Sequence, residues 1–196
     1  MALNAKHVYA PTPNQSATTG ACAIAEVGVT APADAKSALP SSDWDTSGYV
    51  DENGISVTVT RTTTPIRDWS KGVVRNILTE FGGAIAVNFL QVDQFSAERM
   101  FGASNVTVTP ASTTAGEMVK VSIGSELPPI EAWCFSMKDG DARIRVFVPR
   151  GQMTEVGEMA FKPDSGHIIG GTLQCYDDGT GHSIYVIYDD GTVVSG

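Results

Sequence analysis

The stretch "GYVDENGISVTVTRTTTPIRDW", Gly48 to Trp69, decides how this chain is read. Glu52-Asn53-Gly54 is a turn signal. Ile55, Val57 and Val59 then alternate with Ser56, Thr58 and Thr60, the period of two that a half-buried strand shows. From Arg61 to Pro65 the alternation gives way to a polar, β-branched run, and the stretch ends in Trp69 with charges on both sides. The expectation is a strand to Thr60 followed by an irregular extension, Arg61–Asn76, that behaves neither as strand nor as helix. Two uses for it stay open. It folds back on its own core with Trp69 as a plug, or a neighbouring copy orders it, as happens to extended segments that cannot bury their own apolar groups.

Outward from this stretch the period of two dominates. Ile85, Val87 and Phe89 share a face, as do Val119, Val121 and Ile123. Trp133, Phe135 and Met137 share another. Ile144, Val146 and Val148 follow, with Arg143 and Arg145 on the outer side. "EMAFK", "IIGGTLQCY" and "SIYVIY" complete the strands. Turns are signalled at Lys138–Asp141, Asp164-Ser165-Gly166, Asp177-Asp178-Gly179 and Asp189-Asp190-Gly191, and Asp139-Gly140 between two alternating runs is the strongest hairpin signal. One helix is expected in "VDQFSAERMFGAS", with Asp93 as N-cap, Gly102 as stop, and an apolar face of Val92, Phe95, Met100 and Phe101. Many strands and one helix predict a mainly β chain: an antiparallel β-sandwich or barrel-like fold with one flanking α-helix over an open side or edge. Residues 1–47, rich in Ala, Thr, Pro and Ser, read as an N-terminal arm with one strand inside "GACAIAEVGVTAP" and a loosely ordered connection; residues 48–196 read as the β domain, all within one domain.

Composition narrows the function. The net charge of −9 over 196 residues argues against gripping a phosphate backbone, which needs clustered Lys and Arg. The N-terminus shows no basic-then-apolar signal segment, and no run approaches the length of a membrane span. Cys22, Cys134 and Cys175 have neither zinc-ligand spacing nor a disulfide pattern, so buried thiols, no metal and no cofactor are expected. No nucleophile motif such as GxSxG is present. A Cys175/His182 dyad is conceivable, but the residues between them read as a hairpin. "DDGTG" (Asp177–Gly181) has oxygen ligands yet lacks the spacing and terminal Glu of an EF-hand loop. The expectation is therefore a protein that is not an enzyme.

Several stretches in this order carry a resemblance: "GYVDENG" with its following strand, "PIRDWSKGVVRNILTEF" (Pro65–Phe81), "FGASNVTVT" (Phe101–Thr109), "FSMKDGDARIRVFVPRGQMTEVGEMAF" (Phe135–Phe161), and the closing "GGTLQCY" and "YDDG". From about Gly48 onward the chain resembles the major tail proteins, or tail tube proteins, of long non-contractile-tailed bacteriophages, the type found in phages of actinobacteria. The resemblance implies a virion structural protein, made in the host bacterial cytoplasm. It implies sixfold rings stacked helically around the tape-measure protein, bounded by tail terminator and tail-tip proteins. Strands from neighbouring copies would join into one wall, and DNA would pass through the lumen without specific binding. Some relatives carry an added immunoglobulin-like C-terminal domain, for which no room is expected after "VIYDDGTVVSG".

In that setting Arg61–Asn76 is the first candidate for a loop that stacks one ring on the next, and the N-terminal arm the second. Its candidate contact residues are Pro65, Ile66, Arg67, Asp68, Trp69, Lys71 and Val73, with Trp69 as apolar anchor and Arg67, Asp68 and Lys71 as polar rim. Asp139, Asp141, Glu155 and Glu158 are candidates to face the lumen, where negative charge would keep DNA sliding. The other class of reading is a monomeric β-sandwich that binds a ligand such as carbohydrate, with Trp44 or Trp69 as platform.

Overall fold

The computed structural model describes residues 7–14, 20–46, 48–159, 161 and 166–193. Eleven strands are formed among them: β1 (Thr12–Pro13), β2 (Cys22–Ala25), β3 (Asp45–Thr46), β4 (Val50–Arg67), β5 (Val73–Phe89), β6 (Val106–Thr109), β7 (Met118–Val121), β8 (Glu131–Asp139), β9 (Ala142–Val156), β10 (Ile169–Cys175) and β11 (Tyr185–Asp189). One α-helix, α1, spans Gln94–Phe101. Nine strands make one antiparallel sheet in the order β3-β2-β8-β9-β10-β5-β4, with β1 added to β8 and β11 to β9; β6 and β7 form a separate ribbon.

β9 organises the sheet. Along one edge it pairs with β8, starting from the two-residue turn predicted at Asp139-Gly140, where Asp139 faces Ala142 and Gly140 takes φ 56. Along the other edge β11 covers Arg143–Phe147 and β10 covers Gly151–Val156. Pro149, which has no N–H to give, falls in the gap between these partners and beside an irregularity in the β8 register.

The inward-facing residues of five strands make the main core: Cys22 and Ile24 from β2, Ile85, Val87 and Phe89 from β5, Trp133 and Phe135 from β8, Val146, Val148 and Met153 from β9, and Leu173 and Cys175 from β10. Helix α1 closes this face with Met100 and Phe101. Its ends are as the sequence predicts. Asp93 Oδ1 accepts from Ser96 N (2.9 Å) while the Ser96 hydroxyl accepts from Asp93 N (3.0 Å), and the Gly102 N–H donates to Glu98 O at φ 87. Of the expected apolar face, Met100 and Phe101 are buried, Phe95 packs against the core, and Val92 is exposed.

Three expectations change. The connection after β2 is not loose. It lies across the sheet's second face, where Trp44 joins Ala23, Ala25, Ala132, Cys134 and Phe147 in a smaller core with Val29 and Leu39 against it. β2 itself is fully buried and paired to β8. Arg145 does point to the outer side of β9, as the alternation requires, but that side is covered. Its guanidinium donates to Asp34 O and Ser37 O (2.8 Å each), so it is buried and acts as a clamp on the connection. The Asp34 carboxylate accepts from the Ser37 hydroxyl and from the Ser37 and Lys36 N–H groups, which holds its pKa at about 2. Of the strand expected in "EMAFK", Glu158, Met159 and Phe161 are not in a strand, and Ala160 and Lys162 lie outside the described residues, as do Asp164 and Ser165 of one expected turn.

Trp133 is the largest fully buried side chain and stacks on Phe135 with centroids 6.4 Å apart. Trp133→Ala should lower the unfolding free energy by about 3–5 kcal/mol, through lost burial and the cavity left behind, as read by chemical denaturation of the unassembled chain.

Candidate functional site

The segment expected to be irregular is a strand pair. β4 runs on from Ile55 without interruption to Arg67, and β5 returns from Val73, so the two pair from Thr60↔Gly82 out to Arg67↔Val73. The Thr-rich run suits this, because β-branched side chains favour extended backbone even where no face is buried. β10 stops pairing at Gly83. Beyond that point the hairpin is a free two-stranded ribbon, every residue of which from Thr60 in β4 to Phe81 in β5 is exposed.

Its tip holds the candidate contact residues. Pro65, Ile66 and Arg67 end β4, Asp68 to Gly72 form the turn, and Val73 begins β5. Asp68 ties the turn together. Its Oδ1 accepts from Gly72 N and its Oδ2 from the Ser70 hydroxyl, each at 2.7 Å; its own N–H donates to Gly72 O at 2.9 Å. Arg67 Nη1 donates to Lys71 O (3.1 Å), and Lys71 takes the left-handed conformation, φ 69. Trp69 takes no part in this network and is 103% exposed. It plugs nothing on its own body, so the folded-back alternative fails on geometry.

The shaft exposes Val57 and Val59, which the alternation places on a half-buried face, and it carries Leu78 and Phe81, which the sequence reading passed over. Thr62 faces Glu80 and Thr63 faces Leu78, so Thr79 is one residue too many and forms a β-bulge, its hydroxyl donating to Thr62 O (3.1 Å). Val57, Val59, Leu78 and Phe81 are all exposed, and Arg61 lies over the Phe81 ring at 5.6 Å. The outer edge of β4 ends the sheet order and has no strand beside it among the described residues. A long open edge of this kind is what soluble monomers avoid.

The other candidates separate. Asp139 ends β8 and Asp141 lies in the turn that leads to β9, and Asp139 Oδ2 accepts from Ala10 N (2.8 Å). Glu155 lies at the far end of β9 and Glu158 just after it, both exposed, beside an open cleft of about 560 Å³ also lined by Asp51 and Asn88. The two pairs therefore sit a strand length apart, roughly 50 Å for 15 residues at about 3.3 Å each if the strand were straight. Trp44 is buried edge-on against Phe147, which removes it as a ligand platform. Cys175 is buried, its thiol pushed up to about 12 by desolvation, while the His182 Nδ1 lies 3.0 Å from the Thr180 hydroxyl. The two do not form a nucleophile and base. In "DDGTG" the Asp178 carboxylate accepts from the Tyr185 hydroxyl and from Thr180, which holds its pKa well below the usual range and occupies its oxygens within the turn. No helix among the described residues is long and apolar enough to cross a membrane.

The Ser70 hydroxyl and then the Gly72 N–H hold the Asp68 pKa below its ordinary value of 3.8. The ionised carboxylate thus stabilises the turn. That contribution is complete above the ordinary range and disappears as pH falls through the depressed value. The Gly72 amide signal in an NMR titration should shift with a midpoint below 3.8, and Asp68→Ala should remove the transition and speed Gly72 amide exchange at neutral pH.

The model of one protein family, described as phage tail tube protein, matches residues 1–195. Among curated proteins nothing matches.

Proposed function

This chain belongs to the phage tail tube proteins, and from that premise we propose that its projecting β4–β5 hairpin is the element by which one ring of copies holds the next. The family is structural rather than enzymatic, its members are virion components, and they assemble with copies of themselves into the tail. The observation that carries the proposal is the exposed hairpin itself. A two-stranded ribbon is marginal in water on its own, yet this one extends past the end of its β10 pairing with Trp69 exposed at its tip and apolar side chains exposed along its length.

Such a contact joins a protruding element to a different surface of the next copy. It is heterologous and therefore propagates instead of closing, as a tube requires. In this reading sixfold rings stack helically around the tape-measure protein, end against tail terminator and tail-tip proteins, and later conduct DNA. The unpaired edge of β4 supports a wall in which neighbouring copies continue the sheet. Asp139 and Asp141 at one end of β9, and Glu155 and Glu158 at the other, remain the candidates for lumen charge. Placed there, they would repel phosphate within about 8 Å at physiological salt and let DNA slide.

Replacing Pro65–Asn76, the paired residues that close the tip, with Asn-Gly leaves Thr64 facing Ile77 across a two-residue turn. The shortened chain should remain folded, with an unchanged circular dichroism spectrum and melting transition, and should form no tubes in negative-stain micrographs at concentrations where the parent does. Tubes of normal length from this variant would refute the role given to the tip.

A further inference from the structure

We propose that the shaft of the hairpin has its own docking face, separate from the tip, formed by Val57, Val59, Leu78 and Phe81, and that the acidic body of a second copy covers it. The proposal rests on the hairpin being an intersubunit element and adds which face is buried and by what.

The face is defined by register. Directly opposed residues of an antiparallel pair lie on the same side, so Val57 shares a side with Ile85, and Ile85 belongs to the buried core. Two residues further along β4, Val59 lies on that side as well, opposite Gly83. Arg61 and Phe81 follow, and then Thr63 and Leu78. Leu78 and Phe81 are three apart in sequence, and in an unbroken strand they would point to opposite sides. The bulge at Thr79 absorbs the extra residue and puts both on one side. The result is that the apolar face of the core continues beyond the body as a stripe, with Val59 46%, Leu78 53% and Phe81 46% exposed. Nothing among the described residues of the same copy covers it.

Charge selects the occupant. Residues 61–81 contain Arg61, Arg67, Lys71 and Arg75 against Asp68 and Glu80, a net charge of +2. The rest of the chain then holds nine of the 13 basic residues and 20 of the 22 acidic ones, a net charge of −11. Two hairpins laid against each other would bring like charges together, whereas a hairpin laid on the body of another copy brings opposite ones together. The Arg61 guanidinium sits over Phe81, at the stripe itself, where closure over the apolar residues would shield it from salt. The same asymmetry disfavours a closed pair of hairpins and favours a head-to-body contact that repeats.

Three variants and one cross-link test this. Val59→Thr, Leu78→Thr and Phe81→Thr together keep strand propensity and remove the apolar stripe at positions that are exposed in the single copy. The triple variant should melt as the parent does and need roughly tenfold more protein or higher to form tubes, because each apolar side chain withheld from burial forfeits part of its transfer energy. Arg61→Glu with Arg75→Glu should raise the required concentration as well, while Arg61→Lys should restore near-parent assembly. Phe81→Cys coupled through a maleimide photo-cross-linker should yield peptides linking residue 81 to residues outside 50–89 of another copy. Parent-like assembly of the threonine variant, or cross-links running from hairpin to hairpin, would overturn the shaft proposal while leaving the tip reading intact. A parent chain that stays monomeric at every concentration would overturn both.

Discussion

The backbone ladder between β4 and β5 is the constraint on which everything else here depends. Inside the body it is one seam among several: β10 continues the sheet on one side, and Ile85, Val87 and Phe89 tie β5 into the core. Beyond Gly83 no third strand supports the pair among the described residues, and the ladder carries it with a few cross-strand contacts such as the Thr79 hydroxyl on Thr62 O and Arg61 over Phe81. A hairpin by itself has too little buried area to offset the entropy of ordering its residues. This one is anchored at its root by a packed body and pinned at its tip by the Asp68 turn. The ladder between those two fixed points is then favoured, since each further pair adds hydrogen bonds to a register already set.

The body shows how much support such an extension needs. Its sheet is covered on both sides, by α1 on one and by the connection between β2 and β3 on the other. The second cover is held by a buried cation, Arg145, whose guanidinium donates to two backbone carbonyls rather than to a carboxylate at its own depth. Removing a partner from such a group strands a buried charge, so the connection and the sheet stand or fall together. On α1, Arg99 bonds Glu131 at 3.0 Å and reaches Asp45 at 3.7 Å, joining the helix to β8 and β3. The body is therefore held together by parts of the chain far apart in sequence.

How much was legible is clearest from particular residues. Asp93 and Gly102 announced both ends of α1, because capping is a contest among neighbouring backbone groups. Asp139-Gly140 announced the central hairpin for the same local reason. The candidate residues Pro65 to Val73 lie together at the tip because they are contiguous, but their conformation was misread. A strand with both faces in water has no reason to alternate, so Arg61–Arg67 gave no period to detect. Leu78 and Phe81 were missed because a bulge exists only with respect to a partner strand, and the partner is Thr62-Thr63 on the other side of the turn. Trp44 and Arg145 looked like surface residues because the layer that buries them is itself a Pro- and Ser-rich connection.

By itself, then, the sequence determined what neighbours along the chain can settle: the strands with one buried face, the helix and its caps, the tight turns, and an overall net charge of −9. Only the tertiary structure decided what depends on distant segments meeting. That includes which outer faces are covered, where the β4–β5 pair leaves the body, and which side of it stays apolar. The physical reason is that periodicity reports only how a segment would expose its two sides. Burial is a property of whatever comes to lie against them, and for the free hairpin nothing among the described residues of the same copy does.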